Sequence, residues 1–352
     1  MTEFEFFPLD ELTNFTLVPA EPTPGGVSAL LRWQARLVPP TPLPSRVRAL
    51  AASYPELIAV LVAAVIGLTV QRPLAWLAGH QGINALLAIL VVATAVTIDA
   101  DALRRLAAAW RSLLIALAVG VAVLPALSWA VSRIVEAGPL RDGVLVAGLA
   151  PCEIASVATT AMAGGAAAVS AGVLIGSTVA AVALAGPILT LEAGHAGLSP
   201  GGIVANLALV VALPLAVGLA ARQSVPALST QRAETVASRT ALAAVAALVA
   251  LIAAEVRLST AYLSVAAALL LFLLGSALIG RVLGHRSARP VATALLLTTS
   301  MRDFAIAAGV ATAAFGPAAA APLGLYGVAV LVWGTAVAGV MRRDNRQISG
   351  HP

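Results

Sequence analysis

Long apolar runs constrain this chain more than any single motif. Windows of about 17–25 apolar residues, the length needed to cross about 30 Å of hydrocarbon as helix, recur roughly ten times along its 352 residues. With 60% hydrophobic and 11% charged residues and a mean hydropathy of +0.97, the chain carries more apolar surface than one soluble core can hide. Strand-type alternation is absent, which excludes a closed β-barrel and leaves an all-α polytopic membrane protein.

The formal charge of +5 does not point to nucleic acid, because the arginines are scattered between apolar spans and form no stripe. A single cysteine, Cys152, excludes a disulfide within the chain, and His80, His195, His285 and His351 stand apart, so no metal site of the Cys/His type is expected.

The spans read 50–71, 80–98, 112–134, 142–163, 166–190, 201–221, 236–254, 259–284, 288–314 and 320–341. Residues 1–49 lack a basic segment followed by an apolar core and read as a tail, either disordered or carrying an interfacial helix around "VSALLRWQARLVPP". Residues 342–352 form a second tail. An even number of spans puts both tails on one side. That side collects sixteen arginines, the opposite loops hold four (Arg72, Arg133, Arg141 and Arg257), and Arg302 lies within a span. The asymmetry predicts cytoplasmic termini in a bacterial inner membrane.

The spans also divide into two groups of five, 50–190 and 201–341, offset by about 150 residues. Five is odd, so the second group must insert upside down, the inverted repeat of secondary transporters. The fourth span is interrupted at Pro151 in "LAPCEIASVATTAMAGG" (149–165), and the ninth at "TTSMRD" (298–303). Matching interruptions in two halves point to a binding site near the midplane. Lipid cannot satisfy their freed N–H and C=O groups, so each break must face protein, water or ligand.

These segments resemble the bile acid:sodium symporter (BASS) superfamily over roughly residues 50–341. The family pattern of Pro-Gly-Gly-x-x-Ser-Asn-x-x-Thr, a Gly-Asp or Gly-Asn pair, then Ser and Ser-Thr in the next helix is resembled at Pro151, Ser156, Thr160, Gly165, Ser170, Ser177 and Thr178. The resemblance implies ten transmembrane helices in two inverted five-helix repeats, with helices four and nine broken and crossing. It also implies transport by alternating access. The departures are specific. Val157 stands where sodium-coupled members carry Asn, Leu174 for a liganding Thr, Thr298 for a Glu, Arg302 and Asp303 for Gln-Asn, and Gly120 for a helix-three Gln. Ser156 and Ser170 alone keep that oxygen set, so sodium is not expected.

Glu153, Arg302 and Asp303 are the ionisable residues of the span interiors and therefore the leading functional candidates. Glu153 and Asp303 suit the positive ends of the half-helices that follow them, and Arg302 is expected to reach Glu153 across the crossover as a tethered cation where relatives hold sodium. Ser156, Thr160, Ser170, Thr298, Thr299 and Ser300 complete the polar set. Three outcomes are open. Arg302 binds the acid group of a small organic anion, Glu153 or Asp303 takes up a coupling proton, or the charges form an ion pair with a purely structural role.

Cys152, beside the break, also resembles the cysteine of the arsenite-permease branch and is a possible soft ligand, or a thiol packed at the kink. The expected function is sodium-independent transport of an organic anion, with or without protons. An arsenite-type exporter or a transport-inactive receptor or scaffold is the alternative. No nucleophile–base arrangement suggests an enzyme.

Overall fold

In the computed structural model the described residues are 55–97, 110–193, 199–256 and 259–349. The predicted tail 1–49, Arg104 and Arg105 lie outside them. Among the described residues, Ala59–Ser349 belong to one compact unit. Fifteen α-helices are described: α1 (Pro55–Thr69), α2 (Gln71–Leu77), α3 (Ile83–Ala95), α4 (Trp110–Ala118), α5 (Leu124–Ser132), α6 (Pro139–Ala147), α7 (Ala155–Met162), α8 (Ala167–Ala193), α9 (Pro200–Leu207), α10 (Leu213–Ser224), α11 (Gln231–Ala254), α12 (Ala261–Gly284), α13 (Arg289–Ser300), α14 (Phe304–Phe315) and α15 (Ala321–Ser349).

Several are pieces of one span. Seven helical segments are long and apolar enough to cross a membrane: Gln71–Ala95, Trp110–Ser132, Ala167–Glu192, Pro200–Ser224, Gln231–Ala254, Ala261–Gly284 and Pro317–Arg342. The last helix runs on to Ser349, past the span end expected at 341. The second span starts earlier than its hydropathy suggested. A short helix, α2, precedes a bend at His80 (φ −105°, ψ 45°) and Gln81 (φ 66°, ψ 11°), and α3 continues beyond it.

Two spans widen in the same local way. Val119–Val123 joins α4 to α5, and Ala208–Ala212 joins α9 to α10, each as a π-type turn. Pro125 and Pro214 follow directly. A proline has no N–H to donate and its ring crowds the carbonyl four residues back, so one wide turn absorbs the mismatch without ending the span.

The two interrupted spans are α6–α7 and α13–α14. Their second halves stop where Gly164 (φ +71°) and Gly316 (φ +89°) adopt backbone that residues with a Cβ rarely reach. Each interrupted span is held by close helix contacts. Against α13, a Cβ added at Gly280 of α12 would lie 2.9 Å from Leu296 Cα and 3.0 Å from both Leu295 O and Thr299 Cβ. Gly280→Leu is therefore expected to destabilise the fold by about 1–3 kcal/mol or more, read as a lower melting temperature in detergent, whereas the same change at open Gly339 leaves melting unchanged.

Candidate functional site

The two breaks meet. Leu149–Ile154 leaves the helical ladder after α6 and Met301–Asp303 after α13, and Cys152 and Arg302 form an isolated antiparallel bridge. Glu153 N donates to Met301 O at 2.8 Å and Asp303 N to Pro151 O at 2.9 Å. Cys152 N donates to Ser177 Oγ of α8 at 3.0 Å. Peptide groups that a broken helix leaves without partners are thus satisfied by the other break and by one hydroxyl.

This bonding makes Cys152 and Arg302 the non-hydrogen-bonded pair of an antiparallel ladder, whose side chains stand directly opposite on one face. Successive extended residues alternate, so Glu153 and Asp303 project from the other face. Met301 (φ −90°, ψ 103°) and Asp303 (φ −72°, ψ 100°) are extended as this requires. The expected Arg302–Glu153 pair is accordingly not formed, and no ion pair joins Arg302 to a carboxylate among the described residues. The expectation treated 302 and 303 as helical neighbours about 100° apart, but the chain there is extended and the separation is close to 180°.

On the first face, Arg302 is 4% exposed. Its Nη2 donates to the Ala150 carbonyl and its Nε has no partner. The guanidinium lies beside Gly120 in the π-type turn of the third span, where a Cβ would sit 3.7 Å from Nη1 and 3.8 Å from Nη2. A longer side chain at 120 would compete for the space the guanidinium fills. A crevice of about 20 Å³ reaches Arg302 between Leu117, Gly120, Leu149, Ser177 and Ala181, which is room for a single water. Cys152 is fully buried, with Sγ 2.9 Å from Ser156 Oγ. Ser156 Oγ lies 3.4 Å from Ser170 Oγ. Leu174, Val157, Val169 and Val173 pack around Cys152, so the surroundings of these hydroxyls are apolar.

On the second face, Asp303 caps α14. Its Oδ1 accepts from Ala305 N at 2.9 Å and Ile306 N at 2.8 Å, while Oδ2 has no partner. This is the carboxylate at a helix N-terminus that the sequence predicts. Glu153 is also buried with Oε2 unpartnered, its carboxyl lying against the backbone amides of Ile154, Ala155 and Phe304.

The remaining candidates are also buried. Thr298 Oγ1 donates to Ala294 O at 2.7 Å, and Thr160 Oγ1 has no partner. Thr299 packs toward Gly280. Ser300 Oγ donates to Leu296 O at 2.8 Å and accepts from Trp333 Nε1 at 3.0 Å, and Tyr326 OH donates to Ser300 O at 3.3 Å. Tyr326 and Trp333 were not foreseen as partners of the break. Their one sequence signal is an aromatic with a polar tip inside an apolar span.

Paired helix breaks around buried ionisable side chains, set among long apolar helices, are the construction of a membrane transport protein. The chain matches the sodium bile acid symporter family over residues 84–263, about half its length, and belongs to that family. The matched stretch contains the first break and ends before the second. The protein is thus a membrane transporter. No curated protein matches the chain. Ser177→Ala would leave the buried Cys152 N–H without an acceptor and is expected to cost about 1–3 kcal/mol, measured as a lower melting temperature that Ser177→Thr restores.

Proposed function

We propose that the protein moves a small organic anion by alternating access, without sodium, and that Arg302 receives the anion. The observation that carries this reading is the state of Arg302. It is buried, no carboxylate lies within ion-pair distance of it among the described residues, its Nε has no partner, and it borders the crevice described above. A buried guanidinium is costly without an anionic partner and binds planar acid groups through two parallel hydrogen bonds. In this reading the anion supplies the missing charge. The small crevice corresponds to a closed arrangement, and the third and fifth spans must separate from the crossover to admit solute. A transport-inactive scaffold would show the same narrow crevice, and an uptake assay separates the two.

The family's name implies sodium, and the donor set argues against it here. A hard cation exchanges its water for several oxygens. Ser156 and Ser170 offer two hydroxyls, one of them already beside Cys152 Sγ, with Val157 and Leu174 where further oxygens are needed. Arg302 adds a fixed positive charge to the same region, which repels a second cation.

The proposal takes α1 and each broken pair as one crossing beside the seven long segments, ten in all, with both termini cytoplasmic. Nothing in the surroundings of Cys152 favours an arsenic ligand, since its thiol is enclosed and bonded to Ser156.

The test is a panel of mono- and dicarboxylic acids screened by thermal shift on the purified protein, then uptake into proteoliposomes. Uptake is expected to be unchanged when choline replaces sodium. Arg302→Gln should lower it at least tenfold, and Arg302→Lys should recover part. Full uptake by Arg302→Gln, or stabilisation by sodium alone, would contradict the reading.

A further inference from the structure

We infer that Glu153 and Asp303 together hold one proton, and that this shared proton is the ion coupled to anion movement. The inference rests on the reading that Arg302 receives the anion, and adds what happens on the opposite face of the crossover. The ladder pairing puts both carboxyls on that face, each with one buried oxygen lacking a partner: Glu153 Oε2 and Asp303 Oδ2. Glu153 is 7% exposed and Asp303 1% exposed.

The other titratable groups around them are Cys152, Arg302 and Tyr326. Arg302 and Cys152 belong to the opposite face, Arg302 donates to Ala150 O, and Tyr326 OH donates to Ser300 O. No cation therefore bonds to either carboxyl among the described residues. Two carboxylates buried on one face, with a single cation, Arg302, acting only from the opposite face and bonded to neither, cannot both remain ionised, and the pair titrates as a unit. The shared proton requires that the O–H of one carboxyl donate to the free oxygen of the other, and that contact would resolve both orphans. Asp303 is the member kept ionised, since Arg302 acts on it as well as the two amides that bond its Oδ1, whereas Glu153 has backbone amides alone, so Glu153 carries the proton.

The charge count gives the coupling. With the proton present, Arg302 and one carboxylate leave the crossover neutral, and an anion can approach the guanidinium. Without it the crossover carries one net negative charge, which opposes an anion in a low-dielectric site. The proton therefore binds first, the anion second, and both leave on the other side, the proton passing from and to water with no bond made or broken but its own O–H.

A sodium ion fits this face less well. Two free oxygens are too few for it, and the two cavities that reach the crossover are lined by Arg302 in one case and Ile154 in the other, with neither carboxyl in their walls.

The experiment is infrared difference spectroscopy of the full-length protein in detergent, with pH stepped across the neutral range in H₂O and D₂O. The wild type should show the C=O stretch of a buried protonated carboxyl, shifted down in D₂O. Glu153→Gln, which keeps the side-chain shape and can donate to Asp303, should lose it while retaining the melting temperature. Should that variant melt early, Asp303→Asn serves instead, because it leaves Glu153 with an amide partner and shifts the band. Absence of the band from the wild type, or its survival unshifted in both variants, would overturn the shared proton without touching the Arg302 reading. A wild-type band together with anion uptake that ignores a transmembrane pH gradient would overturn the coupling. Failure of Arg302→Gln to reduce uptake would instead remove the anion reading while the band remained.

Discussion

The structure depends on two backbone hydrogen bonds, Glu153 N to Met301 O and Asp303 N to Pro151 O. Inside a membrane a freed peptide group has no water to turn to, so a helix can be broken only where another polar group is waiting. Here each break is the partner of the other. The pair converts two local defects into one small ladder, and the ladder decides where every charged side chain of the site points.

That ladder has two faces with different chemistry. One presents Arg302 and Cys152 toward the third and fifth spans, where Gly120 leaves space for the guanidinium and Ser177 holds the Cys152 amide. The other presents Glu153 and Asp303 at the start of the second half-helices, where backbone amides favour negative charge. Separating a cation from two carboxylates by the thickness of an extended strand keeps them coupled electrostatically while preventing a direct ion pair. A direct pair would quench the site. In the function proposed, its absence leaves the guanidinium available to an anion and one proton's worth of charge to be settled by the carboxyls.

Much of this was legible in the residues. Hydropathy marked the long apolar segments, and the two breaks that the sequence sets about 150 residues apart do meet. Asp303 read correctly as a helix-start carboxylate because capping is a local rule. The Glu153–Arg302 pair did not survive, for a physical reason: hydropathy reports that a segment is buried, and a proline reports that its helix is broken, but neither reports that the residues after the break are extended. A change from 100° to 180° per residue exchanges partners. Tyr326 and Trp333 were missed because contacts to the break from the last span have no periodic signature, and the bend at His80 and Gln81 falls in Gly-His-Gln-Gly, a turn signal that was read as the start of the second span.

Because Cys152 is the only cysteine in the chain, the facing of the two breaks can be measured directly by introducing a second thiol. Non-hydrogen-bonded antiparallel pairs lie close enough for a disulfide, with Cα atoms typically about 4.5 Å apart, whereas the diagonal neighbour on the opposite face does not. Intact mass and gel mobility after mild diamide oxidation are the readout. Arg302→Cys should crosslink to Cys152, and Asp303→Cys should not. Crosslinking by Asp303→Cys with none from Arg302→Cys would mean that the faces are assigned wrongly, and the separation of guanidinium from carboxylates would fall with them.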